Sequence, residues 1–256
     1  MTHFFTYSAK TSTNPEPARK CRPELSNTHK ALQNNLDYSF SPYSKCPGDL
    51  GDVSCAVIIS SFRDAIQLTR YDHPNLPIYL SNLARSLSRL FEYTGDFTCI
   101  SSAISVQQSA IQLTSNDHSD MPHRLRNLGN SFLCRFERTG YVGDITEAIS
   151  AHQRAVELTP NGHADMPSRL SSLGNSHLRR FEHTGDLTNT NNAISAHQRA
   201  VELTPNGHAE MLSRLSDLAT SLLCRFERAG DLTDLANAIS AQQRAVELTP
   251  NGHAYS

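Results

Sequence analysis

The sequence predicts an all-α fold, a right-handed superhelical solenoid of antiparallel helical hairpins. Three observations predict it. The first is repetition. The run Ala148–His163 recurs unchanged from Ala193 to His208, and the same offset of 45 residues carries the wording forward to Ala238 and back to Ala103, with a worn copy at Ile58–Ser60. Self-similarity at such a period marks stacked supersecondary units, none of which can bury its apolar face alone. The second is spacing. Met166, Leu170, Leu173, Leu178 and Phe181 fall at intervals of 3 to 5, along one stripe of a helix. The third is punctuation: each unit is broken by a lone Gly in its middle and by turn residues such as Pro205-Asn206-Gly207 at its end. No stretch alternates with period two for long enough to be a strand.

The elements follow in chain order. Residues 1–28 mix Pro15, Pro17 and Pro23 with Ser, Thr and Lys and carry no apolar stripe, so disorder is expected there. A degenerate helix is expected within 30–40, cut short by Pro42, which makes 1–50 an N-terminal flexible segment. The array then spans 51–256: a lone helix at 53–69 and four hairpins at about 74–114, 119–159, 164–204 and 209–249. Within the third hairpin, Pro167 sits in the first turn, where its missing N–H costs nothing. Gly185 suits a left-handed C-terminal cap and Asp186 the N-cap of the second helix. That helix is expected to turn Leu187, Ala193, Ile194, Val201 and Leu203 inward and to stop at Pro205.

Stacking the repeats exposes invariant columns. One holds Leu83, Leu128, Leu173 and Leu218, each followed by a small residue: Ala84, Gly129, Gly174, Ala219. Others hold Phe91, Phe136, Phe181 and Phe226, or Gly95, Gly140, Gly185 and Gly230, or Ala110, Ala155, Ala200 and Ala245. Helix axes only 8–10 Å apart leave little room between backbones, so these columns read as core packing.

These columns resemble the tetratricopeptide (TPR) repeat. Ala193, Ala200 and Pro205 keep that family's second-helix spacing, while Leu173-Gly174 and Gly185 supply its first-helix and turn positions. The family's aromatic in the second helix is replaced by Gln107, His152, His197 and Gln242, and the period is 45 in place of 34. The extra residues lengthen each helix by about a turn and leave the hairpin intact. The wording Leu-Gly-Asn-Ser, Arg-Phe-Glu and Ala-Val-Glu-Leu-Thr-Pro-Asn-Gly-His also resembles the arrays of fungal TPR proteins that carry a caspase-like CHAT domain. That domain's catalytic Cys and His have no counterpart in these residues.

Several function classes are disfavoured by composition. The formal net charge of −2 gives no basic field for nucleic acid, and no column repeats Lys or Arg with stacking aromatics on one face. No apolar run approaches the roughly 18 residues needed to span a bilayer. Six cysteines contain no CxxC pair, and Cys134 and Cys224 occupy equivalent positions two repeats apart, beyond disulfide reach. Reduced thiols and a cytoplasmic location are expected. The recurrent His73, His118, His163, His208 and His253 stand one hairpin apart, too far to share a metal ion, and read as turn histidines that pack or cap the next helix. No Gly-rich phosphate loop appears. No enzyme activity, metal or cofactor is expected.

What remains is the groove that the first helices of such an array line. The resemblance places Arg85, Asn130 and Asn175 there, with Arg126 and Ser171 one turn earlier and Arg179 one turn later. An Asn can bond both N–H and C=O of an extended peptide, and Arg favours a carboxylate. The expected function is a non-enzymatic protein-interaction scaffold that binds a peptide or protein segment in its concave groove. The alternative is the sensing or adaptor part of a caspase-like protease system. The last helical run carries the same apolar residues as interior copies, so self-association through an uncapped C-terminal repeat is also expected.

Overall fold

The structure, a computed structural model, describes residues 73–249 together with Ser60, Asp64, Ile66 and Thr69. The N-terminal segment 1–50, the helix expected at 30–40, most of the one expected at 53–69, and His253 lie outside the described residues. Within 73–249 the helices run in order: α1 Leu76–Thr94, α2 Phe97–Gln112, α3 Met121–Thr139, α4 Val142–Glu157, α5 Met166–Thr184, α6 Leu187–Glu202, α7 Met211–Ala229 and α8 Leu232–Leu248. Among the described residues there is no strand. Each first helix packs on its own second helix, α3, α5 and α7 pack also on the second helix of the preceding hairpin, and successive first helices lie side by side. The result is an α-solenoid of antiparallel hairpins.

Local chemistry explains the boundaries. The first helices end at Gly95, Gly140, Gly185 and Gly230, all in the left-handed region at φ between 67° and 75°. Gly185 donates its N–H to the Phe181 carbonyl at 2.7 Å in that conformation, which a side chain would strain. Second helices begin after Asp96, Asp186 and Asp231, whose carboxylates accept the N–H of Thr98, Thr188 and Thr233. Between hairpins, the turn histidines bond the start of the next first helix: Nδ1 of His73, His118, His163 and His208 accepts the N–H two residues on, at 3.1–3.2 Å.

The core follows the columns, with two corrections. Leu80, Leu83, Leu87 and Phe91 of α1 are fully buried, as are Ala110, Ala155 and Ala200 of the second helices. Burial of each such leucine contributes ~1.5–3 kcal/mol. Ala193 and Val201 are buried and Ile194 half-buried, but Leu187 and Leu203 are exposed. Leu187 opens α6 in the turn beside the cap, and Leu203 follows its last turn, so neither faces a neighbouring helix.

The positions where the TPR aromatic is missing form close contacts between helices. His152 of α4 lies where α3, α4 and α5 meet. Its Nε2 stands 3.2 Å from the Arg126 carbonyl and 3.1 Å from Oδ1 of Asn130, and its Nδ1 stands 2.8 Å from the Ser176 hydroxyl. A carbonyl can only accept, so Nε2 carries the proton and Nδ1 accepts from Ser176. His197 repeats the arrangement with Nδ1 2.9 Å from Ser221 Oγ, and the Ser171 carbonyl lies beside its Nε2 without closing a well-formed bond. The ring lies flat against a glycine: a Cβ on Gly129 would stand 2.5 Å from His152, and one on Gly174 2.4 Å from His197. The other hairpins pair Ala84 with Gln107 and Ala219 with Gln242. Glycine thus accompanies histidine and alanine accompanies glutamine in every hairpin, because the slimmer amide leaves room for the methyl group the ring displaces.

This matching is testable. Gly129→Ala or Gly174→Ala should each destabilise the protein by about 1–3 kcal/mol. Adding His152→Gln or His197→Gln, respectively, should restore most of the loss. Denaturant titration of each double-mutant cycle measures the coupling, and additive effects would show that ring and glycine do not constrain one another.

A second prediction concerns acid. Burial pushes the pKa of both His152 and His197 down to about 4, so both rings are neutral in the folded protein. In the unfolded chain they titrate near 6.5. Between these values the unfolded state binds more protons, so stability is complete above about pH 6.5 and falls as pH drops towards 4. The loss by pH 5 should be about 2 kcal/mol per ring. His123 and His177, also held below the ordinary range by burial, add to the slope. Replacing both Gly–His pairs by Ala–Gln should flatten the pH 5–7 dependence measured by urea unfolding.

Candidate functional site

The first helices present a polar face. Hydrogen bonds cross it from one helix to the next: Ser88 to Ser131 between α1 and α3 at 3.1 Å, Arg126 Nε to Ser172 Oγ between α3 and α5 at 3.0 Å, and Arg179 Nε to Glu137 at 3.1 Å. Between α1 and α3 the face opens into a cleft of about 360 Å³. Arg85, Arg89 and Glu92 from α1, Gln107 from α2, and Arg126, Asn130 and Cys134 from α3 line it.

The cleft brings together three of the six candidate groove residues. Arg85 is exposed and makes no hydrogen bond or ion pair with the described residues. Arg126 is half-buried; its Nε is held by Ser172, and no carboxylate pairs with it. Asn130 is exposed, but its amide oxygen is engaged by His152. The other three candidates stand elsewhere. Asn175 and Ser171 are half-buried on α5, and the Ser171 hydroxyl oxygen is shielded from solvent without a partner. Arg179 lines a separate cleft with Phe136, Glu182 and His183, where Glu137 and Glu182 both pair with it.

The electrostatics of the α1–α3 cleft are cationic. Arg85, Arg89 and Arg126 face one carboxylate, Glu92, which pairs with Arg89 across an exposed gap of 3.3 Å. Such exposed pairs hold weakly. His123 also lines the cleft; burial first, then the charge of Arg126 and of Arg169, keeps its imidazole below the ordinary value. At the floor, Gln107 donates its Nε2 to the Arg124 carbonyl at 3.0 Å, while its buried Oε1 has no donor. The cleft therefore offers two guanidiniums that pair with no carboxylate among the described residues. The Cys134 and Cys224 thiols are half-buried, and burial raises their pKa, which suits neither metal ligation nor nucleophilic attack. Among the described residues no group of His, Cys, Asp and Glu could hold a metal ion, and no helix is long and apolar enough to cross a membrane.

Sequence reasoning missed a buried arginine column. Arg124, Arg169 and Arg214 lie in the apolar stripe of the first helices, almost fully shielded. Arg169 donates to Thr159 Oγ1 of the preceding hairpin at 2.9 Å, and Arg214 repeats this bond to Thr204. Each threonine in turn donates to the carbonyl four residues before it, on Ala155 or Ala200. Arg124 instead reaches the Pro77 carbonyl at 2.7 Å and Ser81 on α1. A second set lies within hairpins: Arg135 binds Asp144, and Arg225 binds Asp234, through two nitrogens each, with both aspartates buried. Arginine recurring inside an apolar stripe, in step with a threonine ten residues earlier, was the available signal.

The comparisons with known proteins agree with the architecture. No family model matches the chain, and no curated protein matches it in sequence. Among solved structures, it is similar to a kinesin-light-chain-type protein of nearly identical TPR-like repeats from Podosopora anserina, at 13% identity and TM-score 0.53, over 86% of this chain and 96% of that one. It is also similar to BtubC (BKLC) from P. vanneervenii, at 15% identity and TM-score 0.55, over 92% and 97%. The thermophilic TPR protein TTC0263 of Thermus thermophilus aligns at 17% identity and TM-score 0.52, over 86% and 93%. At such identities the likeness is one of fold, and the fold is that of a TPR-type helical solenoid.

Proposed function

We propose that the protein is a non-enzymatic interaction scaffold that holds an extended, acidic peptide segment across its first-helix face, centred on the α1–α3 cleft. The observation that carries this reading is the pair of guanidiniums, Arg85 and Arg126, that share one cleft and have no carboxylate of their own. Arginine left without a counter-ion in a concave site favours carboxylate, which it can grip with two parallel N–H bonds. Asn175 and Ser171 continue the same face on α5, and the similar folds are themselves repeat solenoids whose surfaces, not interiors, are available for binding.

The test uses a fluorescent dodecapeptide of alternating Glu and Ser, with its Lys–Ser counterpart as control. Anisotropy should show saturable binding of the acidic peptide that weakens as salt rises from 0.05 to 0.5 M. Arg85→Glu combined with Arg126→Glu should reduce affinity at least tenfold, with helicity by circular dichroism unchanged. Equal binding of the two peptides, or no effect of the double substitution, would remove the cleft as the site.

A further inference from the structure

Two clefts on the first-helix face meet at one histidine. Beside the α1–α3 cleft lies a second, of about 450 Å³, where the starts of α3, α5 and α7 converge. His123 and Arg126 line both. The repeat itself marks these two positions as exceptional. The column of His123 reads Ile78, His123, Ser168, Ser213, and that of Arg126 reads Ser81, Arg126, Ser171, Ser216. In these columns α3 alone carries ionisable side chains, and they stand where the clefts join.

The His123 ring is exposed at the clefts, and its surroundings oppose a charge on it. Asn127 stands one turn on, with its amide nitrogen 3.2 Å from Nε2. A donor there makes Nε2 the acceptor and leaves the single proton of the ring on Nδ1. Partial burial, then the charges of Arg126 on its own helix and Arg169 on α5, hold the imidazole below its ordinary value, while Asp120 and Asp165 pull the other way. Both carboxylates are already engaged, Asp120 with Arg124 and Asp165 with Arg169. Across the first cleft stand Arg85, Arg89 and Glu92 of α1, with Arg89 paired to Glu92. Across the second stand His208, Glu210 and Arg214, with Arg214 paired to Glu210. His123 also sits in the first turn of α3, where the helix dipole disfavours a cation. Among the described residues no carboxylate at this junction is left over for an imidazolium, and an acidic ligand would bring one.

We infer that an acidic peptide on this face binds together with a proton, which His123 takes up. The inference rests on the acidic-peptide reading and adds its regulation. A carboxylate drawn to the junction by Arg126 offsets the positive field that keeps the ring neutral and offers an oxygen to a ring N–H. Imidazole and one solvent proton become imidazolium, in which both ring nitrogens donate. Asn127 meets the new Nε2–H once its amide turns its oxygen towards the ring. The bound state then holds more protons than the free state, so affinity rises as pH falls. Glutamates of the ligand stay ionised above about pH 4.3, well below that window.

The test titrates the Glu–Ser dodecapeptide into the full chain between pH 8.0 and 5.5 at fixed ionic strength, with helicity checked at each pH. Affinity should rise by about threefold or more over this range. Calorimetry at pH 6.0 in buffers of different ionisation enthalpy should show net proton uptake on binding. Peptide glutamates gripped by arginine can only release protons, so uptake belongs to the protein. His123→Ser installs the residue that positions 168 and 213 already carry. It should abolish the uptake and bring the ratio of affinities at pH 5.5 and 8.0 close to one. Saturable binding indifferent to pH, or a rise that survives His123→Ser, would overturn this inference and leave the acidic-peptide reading standing. No saturable binding at any pH would overturn both.

Discussion

The stack is organised around the place where a second-helix side chain is pressed between two first helices. His152 touches Gly129 on its own hairpin's first helix and Ser176 on the next, so one ring sets both the spacing within a hairpin and the seating of its successor. The approach is close because there is no Cβ beneath the ring. Its orientation is fixed because both ring nitrogens face a specific neighbour. A leucine at this position would fill the space but would not choose between registers one turn apart. The polar ring chooses, since only one seating presents a hydroxyl to Nδ1 and a carbonyl to Nε2. Gln107 seats the next hairpin through a single amide bond, to the Arg124 carbonyl, beside Ala84.

The arginine–threonine bonds act on the opposite flank of the same junctions. Arg169 and Arg214 are shielded, tie the start of one first helix to the end of the previous hairpin, and are balanced by the acidic residue four positions earlier, Asp165 or Glu210. Removing one partner would strand a buried charge, whereas the intact set is well accommodated. Together with the histidines, these bonds make the stacking of hairpins a matter of matched polar groups as well as apolar area. That is why the repeats preserve Thr159, Thr204, Arg169 and Arg214 as faithfully as their leucines.

Much of the fold could be read from the sequence, since period and spacing are properties of the chain itself. The helix-capping glycines, the Asp186 cap and the turn histidines were legible because each acts on residues within a few positions of itself. Leu187 and Leu203 were misplaced because an apolar residue at a helix end belongs to the stripe by spacing yet has no helix opposite. The buried arginines were invisible because composition assigns arginine to the surface, and only the neighbouring hairpin supplies its acceptor. The α1–α3 cleft was half visible. Arg85, Arg126 and Asn130 follow from column positions, but that Arg179 is neutralised by Glu137 and Glu182, and that Asn130 bonds His152, depends on side chains brought from other helices. The Gly–His and Ala–Gln pairing was present in the columns all along; spacing alone does not reveal that residues 23 positions apart collide.

The asymmetry of the last hairpin has a consequence for motion. In a stack whose units touch only their neighbours, the free energy of opening any unit is its own small intrinsic term plus the interfaces it shares. Each inner second helix is held on two sides, by its own hairpin and by the first helix of the next. Among the described residues helix α8 packs mainly on α7, and of its own residues Asp234, Ala238 and Ala241 are buried. Amide exchange should therefore be slower in α4 and α6, each enclosed by two first helices, than in a helix packed on one side. Rigidity in such a stack is thus lent by neighbours, so that seating one hairpin firmly stiffens the helices on both sides of it.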